Sequence, residues 1–390
     1  MSAYVGAPLG LPPRGAPPGA KDALSLIVGN RSWEGWQRVS VARTMEGIPA
    51  TFDIQVTEKY PTGLSIAIAA GDPCQVKIGG DLVITGYVDQ YASAISPNDH
   101  TVRITGRSKS QDLVDCSAFM GSRDKPAFQY RGSAVAIARE LARQYDVTVG
   151  SIAGDGVVIP QQNINLGETP WELIDRIAKV SKFVVYDMPD GSVRFAQAGR
   201  EEMASGFEMP GNVEAAAVTY SMNDRFSQYE AHLLSTMVYA NEFGVNATPV
   251  GGLVEDQGVS RFRKRYIISE QMMLGQPIVH DRAVWERNRR FGHSQQINIR
   301  CDAWRDAQGQ LWAPNHLAPL RIPQLKAADA TWLIASVNYT RDETGQHAQL
   351  VMMPVEAFSP EPIVITNQQL TVQAVEAANA ARKEGDKTWE

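Results

Sequence analysis

Two well-separated stretches of this chain follow one β pattern, and any fold must accommodate both copies. The first runs Pro73–Ile78, a Gly-Gly-Asp turn, Leu82–Tyr91, a second turn, then Thr101–Gly106. The second runs Leu317–Ile322, a turn, Trp332–Tyr339, a turn, then Gln349–Met353. In both, the middle apolar run ends on a valine, an Asp or Asn and a nearby tyrosine: Val88, Asp89 and Tyr91, then Val337, Asn338 and Tyr339. Apolar alternation between turn signals describes half-buried antiparallel strands, as in a small barrel or sandwich. Duplication therefore predicts two β modules of like topology.

The texture between the copies is different. Ser133 is placed to cap a helix whose Val135, Ala138, Leu141, Ala142 and Tyr145 share one face. Thr169-Pro170-Trp171-Glu172 offers an N-cap hydroxyl, proline at the first helical position and a reciprocal glutamate. Phe183–Met188 and Ser192–Gln197 flank Pro189-Asp190-Gly191 as a hairpin, with Asp187 and Asp190 read as turn formers bonding their own backbone.

With 390 residues the chain is long enough for two to four domains. The expected division has a Pro/Gly-rich arm at 1–20, a first β domain at 21–108 and an α/β domain at 109–199. A second β domain follows at 200–225 and 283–358, interrupted by a mixed basic segment at 226–282. A helical tail at 359–390 ends the chain. No basic and apolar leader opens the sequence, so a protein made in a reducing cytoplasm is expected. Cys74, Cys116 and Cys301 are odd in number and far apart, which predicts buried free thiols and neither disulfides nor a zinc site.

Chemistry-bearing motifs are missing. The six histidines are dispersed, and no HExxH, GxSxG, P-loop or GxGxxG occurs. Glu201-Glu202 reads as solvated. These observations predict no catalytic, metal or cofactor site. The strongest constellation is basic: residues 261–300 hold nine Arg and Lys against three acids, in a chain of net charge -6. Of these, Arg263, Arg265, Arg287, Arg289 and Arg290 are the candidate contacts to a neighbouring subunit or another acidic surface. A solvated helix face with i,i+4 pairing is the competing explanation, and the acidic total argues against general nucleic-acid binding. Of the eight tryptophans, core packing is the commoner expected fate and interface anchoring the other.

Four segments together resemble the Mu-type contractile-tail baseplate hub family, which is related to the late-control and type VI secretion spike hubs. They are Gly106–Ala118 (GRSKSQDLVDCSA), Gly167–Lys179 (GETPWELIDRIAK), Lys264–Ser269 (KRYIIS) and Trp285–Asn315. The resemblance runs in order from about Val39 to Phe358. It implies an α+β multidomain fold with two tube-like antiparallel β-barrel domains plus α/β domains. It also implies a homotrimer in the virion tail that joins the sixfold tail tube to the threefold central spike. Other baseplate proteins are then partners, and DNA meets the chain only by passing through the channel. A hub that also degrades peptidoglycan, or a type VI spike component, remains the alternative.

Overall fold

The computed structural model describes residues 22–58, 68–96, 99–122, 124–234, 247–248, 253–269, 276–325 and 330–358. The expected N-terminal arm and C-terminal helical tail lie outside the described residues.

The first β region contains β1 (Leu24–Val28), β2 (Arg31–Trp33), β3 (Arg38–Thr44), β4 (Thr51–Glu58), β5 (Pro73–Ile78), β6 (Asp81–Ser96) and β7 (Asp99–Ser108). After it come α1 (Asp112–Asp115), β8 (Met120–Ser122), β9 (Lys125–Ala127), β10 (Gln129–Ser133), α2 (Ala134–Arg143), β11 (Val149–Ser151), β12 (Val158–Asn163), α3 (Pro170–Val180), β13 (Val184–Asp187) and β14 (Val193–Ala196). The remainder begins with β15 (Glu201–Glu202), β16 (Phe207–Glu208) and β17 (Val213–Tyr220). Next are β18 (Gln228–Leu234), β19 (Ala247–Thr248), β20 (Leu253–Glu255), β21 (Lys264–Ser269) and α4 (Gln276–His293). β22 (Gln295–Cys301), β23 (His316–Arg321), β24 (Ala330–Asp342) and β25 (Gly345–Met353) complete it.

Both expected helices start where their caps predict. The Ser133 hydroxyl accepts from the Ala136 amide, and Thr169 and Glu172 form the full reciprocal capping box with Pro170 at the first turn. The hairpin of β13 and β14 forms as expected, and Asp190 bonds the Ser192 amide. Asp187 behaves differently from the expectation. It is 4% exposed, and its carboxylate accepts from the Ala50 amide and the Ser108 hydroxyl, each at 2.5 Å. Burial pushes its pKa up, against the pull of these bonds. It ties the helical region to the start of β4 and the end of β7.

The two β modules share one strand order. In the first, hydrogen-bonded neighbours run β3-β4-β7-β6-β5; in the second they run β17-β22-β25-β24-β23. Taken in chain order, the five strands of each module occupy identical places, and every neighbouring pair is antiparallel. Each module also has a bulge at the same place. Asp89 is the extra residue in β6 between Val88↔Gly106 and Gln90↔Thr105, and Ala335 is its counterpart in β24 between Ile334↔Met352 and Ser336↔Val351. This register equates Pro73 with Leu317 and Arg103 with Gln349, as the sequence alignment has it to within a residue or two. It equates Val88 with Ile334, however, and not with Val337. The flanking strands differ too, since β1 pairs antiparallel with β5 whereas β15 and β16 pair parallel with β23.

The modules are not separate bodies. β24 pairs with β3 from Ser336↔Thr44 to Arg341↔Val39, so both halves lie in one 14-stranded sheet. Among the described residues no strand pairing closes either half into a barrel. Side chains of both halves, among them Val41, Phe52, Ile104, Ile299, Trp304, Val337 and Tyr339, fill one continuous apolar core. The other face is polar at the joint, where Arg38, Ser40, Asp53, Arg103, Thr340 and Arg341 line a groove and Arg103 holds Asp53 bidentately.

The conserved strand order differs only in what is inserted. Between β3 and β4 lie six residues, 45–50; between the equivalent β17 and β22 lie β18–β21 and α4. α4 starts at Gln276 and so crosses the boundary expected at 282/283, because its apolar Ala283 and Val284 pack under β18, β20 and β21 with Tyr229, Val254 and Ile267.

Gly106, inside β7 where the segment Gly106–Ala118 begins, is forced. A Cβ there would run into the Tyr87 carbonyl oxygen and the Phe52 ring. Gly106→Ala is expected to cost about 1–3 kcal/mol by overpacking, read as a lowered thermal midpoint with the circular dichroism of the native fold retained.

Candidate assembly surface

The basic residues singled out from the sequence gather on α4 and the strands it covers. Two aromatic rings organise them. Phe226 lies beneath the guanidinium groups of Arg263, Arg265 and Arg290, at 4.8, 5.8 and 5.4 Å from its centroid. Trp285 lies beneath Lys179, Arg282 and Arg289, at 5.2, 4.8 and 5.3 Å. A cation over a ring face is attracted by the ring quadrupole. Glu286 links the two clusters, bonding Arg282 of the Trp285 group at 2.9 Å and Arg290 of the Phe226 group at 2.7 Å, both one helical turn away.

Most of these charges are spent within the chain. Arg263 donates to the Met222 and Asn223 carbonyls, and Arg290 donates to the Asp224 carbonyl at 3.0 Å. Two arginines thereby clamp the turn that leads from β17 into the insertion. Arg289 reaches Glu46 on the β3–β4 turn at 3.3 Å, and His293 reaches the same carboxylate at 2.9 Å. Arg287 corrects the sequence expectation of a surface contact. It is 8% exposed and donates to the Asn288 side chain and the Glu255 carbonyl, and burial lowers its pKa. Of the five candidates, Arg265 alone is exposed, on β21 next to Tyr266 at 62% exposure, with Phe262 at 77% just before the strand.

One buried ion pair was not foreseen from the sequence. Arg225 holds Asp256 through two bonds of 2.9 Å, both side chains being almost fully buried. Asn315, in the motif that closes with Pro-Asn, is likewise structural. It donates to the Tyr186 hydroxyl and the Gln197 carbonyl and accepts from the Gly199 amide, which fastens the second module to the helical region. Trp304 and Trp312 are core residues. Their indole N–H groups donate to the His347 and Ala303 carbonyls, and the Tyr339 hydroxyl donates to the Trp312 carbonyl.

Among the described residues no group of His, Cys, Asp and Glu has a metal-holding geometry, and no helix is long and apolar enough to cross a membrane. Cys74 and Cys301 are buried free thiols, with pKa pushed up to about 12 chiefly by burial; Cys116 is half-buried. Glu201 and Glu202 are exposed, as expected.

Comparison with known proteins places these elements in a family context. Three family models match in chain order: Mu phage baseplate assembly protein GpP-like, N-terminal, at residues 23–108; baseplate hub protein gp44-like, second domain, at 110–197; and Mu phage baseplate assembly protein GpP, fourth domain, at 276–361. The baseplate hub protein gp44 of Escherichia phage Mu is 26% identical over 348 residues, covering 86% of this chain and 89% of that protein. The 43 kDa tail protein of prophage MuSo2 from Shewanella oneidensis is 26% identical with a TM-score of 0.74, covering 87% of this chain and 99% of that one. A tail protein from Neisseria meningitidis shares the fold at 18% identity and a TM-score of 0.71, covering 87% and 98%. The resemblance to Mu-type baseplate hubs is thereby shown.

The Glu46 contact has a pH signature. Burial alone would raise its carboxyl pKa, but the hydrogen bond and charge of His293 and the charge of Arg289 hold it below the ordinary 4.5. A depressed carboxylate stabilises the fold above its unfolded pKa and loses that contribution as pH falls through the folded one. Glu46→Gln is therefore expected to cost about 1 kcal/mol at pH 7, a deficit that shrinks as pH drops past 4.5. Paired thermal melts across that range check it, and an undiminished deficit in acid would refute the ionic origin.

Proposed function

We propose that this chain is the structural hub of a contractile phage-tail baseplate, a virion component that works as a homotrimeric ring. Three chains set six β modules around a channel, each completed in the ring as a tube-like barrel. A threefold molecule then presents a sixfold face to the tail tube and a threefold face to the central spike. The observation that carries this reading is the identical strand order of the two modules and their edge-to-edge joint, in a chain matched by Mu baseplate models. A repeated contact of this heterologous kind makes a ring when its rotation closes.

The relatives are named for structural roles in tails and baseplates, and the mechanism proposed is likewise stiffness and symmetry matching, with no chemical step. The partners are the spike, the tail tube and other baseplate proteins; DNA passes through the channel. The domain division at 21–108, 109–199 and 200–358, with the insertion at 226–282, is part of this proposal. Arg265, with Phe262 and Tyr266, is the contact offered to a neighbouring protein, while the other four arginines shape the insertion.

Sedimentation or mass photometry at micromolar concentration is expected to give three times the 42.7 kDa chain mass, and a low-resolution image a hollow threefold ring. A monomer that also fails to bind its cognate spike would overturn the reading.

A further inference from the structure

The internal repeat contains a joint between its copies, and the same joint can be written once more along two strand edges that carry no further strand among the described residues. Inside the chain, the distal half of β24, beyond its bulge, pairs with β3. The equivalent of β24 is β6, and the equivalent of β3 is β17. β5 pairs with β6 as far as Tyr87, and the Gly71 and Asp72 backbone reaches Val88, so beyond the bulge β6 pairs with β7 along one edge and, among the described residues, with no strand along the other. Among the described residues β17 ends the sheet, pairing with β22 alone. The chain thus carries one used joint and the two complementary halves of a second.

We infer that the outer edge of β6 in one copy pairs antiparallel with β17 of a second copy, in the register of the β24–β3 joint. This rests on the ring proposed above and specifies its seam. The register follows from the strand equivalences. Val41 pairs with Phe52 and Val218 with Ile297, each partner lying opposite the matched Gly106 or Met352, so Val41 corresponds to Val218. The bulges match Gln90 with Ser336. Transferring the pairing gives Tyr91↔Tyr220, Ala92↔Thr219, Ser93↔Val218, Ala94↔Ala217 and Ile95↔Ala216.

The side chains suit this partner. Ile95 is 77% exposed, although it takes the place of Arg341 in a strand whose core-facing neighbours are buried. Opposite it, Ala216 and Val218 are half-buried, packed against the apolar core from the open side. The facing positions Ala92, Ala94, Ala217 and Thr219 are small, so two backbones can approach to ladder distance. β17, VEAAAVTY, has one charge, no lysine and no proline, the devices that keep a free edge from pairing. An added strand takes its affinity from main-chain hydrogen bonds and its register from alternate side chains.

Disulfide trapping in the full chain tests the seam. In a Cys116→Ser background, Ala94→Cys with Ala217→Cys is expected to give an intermolecular disulfide and a covalent trimer on non-reducing gels. Each single cysteine should give none, and neither should Ala94→Cys with Val218→Cys, which slips one residue to the opposite face. A particle of trimer mass without the disulfide, or with equal trapping in the slipped pair, overturns the seam and leaves the ring standing. A monomer overturns the ring and the seam with it. Ile95→Lys, at an exposed site, should leave the monomer's thermal midpoint unchanged and raise the trimer dissociation constant at least tenfold; an unchanged constant overturns the seam.

Discussion

The antiparallel pairing of β24 with β3 is the interaction on which the rest of the molecule hangs. Without it, two five-stranded sheets would each expose an edge and half a core. With it, the backbone groups of Val39–Thr44 and Ser336–Arg341 satisfy one another, and Val41 and Tyr339 meet in a single apolar layer. The neighbouring parts attach around this joint. Asp187 secures the helical region to β4 and β7, Asn315 secures it to the second module, and Glu46 receives α4 close beside the joint.

The arginine-rich insertion then reads as an organ of shape. Its cations share two aromatic rings, and most of their hydrogen-bonding capacity goes to carbonyls of the Met222–Asp224 turn and to Glu46 and Glu286. A surplus of positive charge in the sequence thus becomes a rigid attachment between the insertion and the β modules, leaving Arg265 at the surface.

Much of this was legible beforehand, because the signals are local. The capping box at Thr169, the cap at Ser133 and the hairpin about Asp190 depend on residues within four positions of one another, and strand alternation marks both modules. The middle strand of the repeat was misaligned for a physical reason. Valine, an acid or amide, and tyrosine recur at Val88 and at Val337, but the extra residue at Asp89 and at Ala335 sets the true register, and a bulge leaves no trace in apolar alternation. Long-range roles were equally hidden. Nothing near Asp187 in sequence announces Ser108 and Ala50, and the burial of Arg287 follows from the strands that α4 covers. The common strand order emerges only when pairings between distant segments are laid side by side.

The bulges themselves carry a consequence for how such a chain can change. Side chains alternate faces strictly along a strand, so one residue more or less inverts everything beyond it. Deleting Ala335 would turn Val337 and Tyr339 toward water and Asn338 and Thr340 toward the apolar layer, without altering a single residue of the joint. The polarity of that wall is therefore set by counting, and evolution can vary its chemistry freely while the tally along each long strand must stay odd or even as it is.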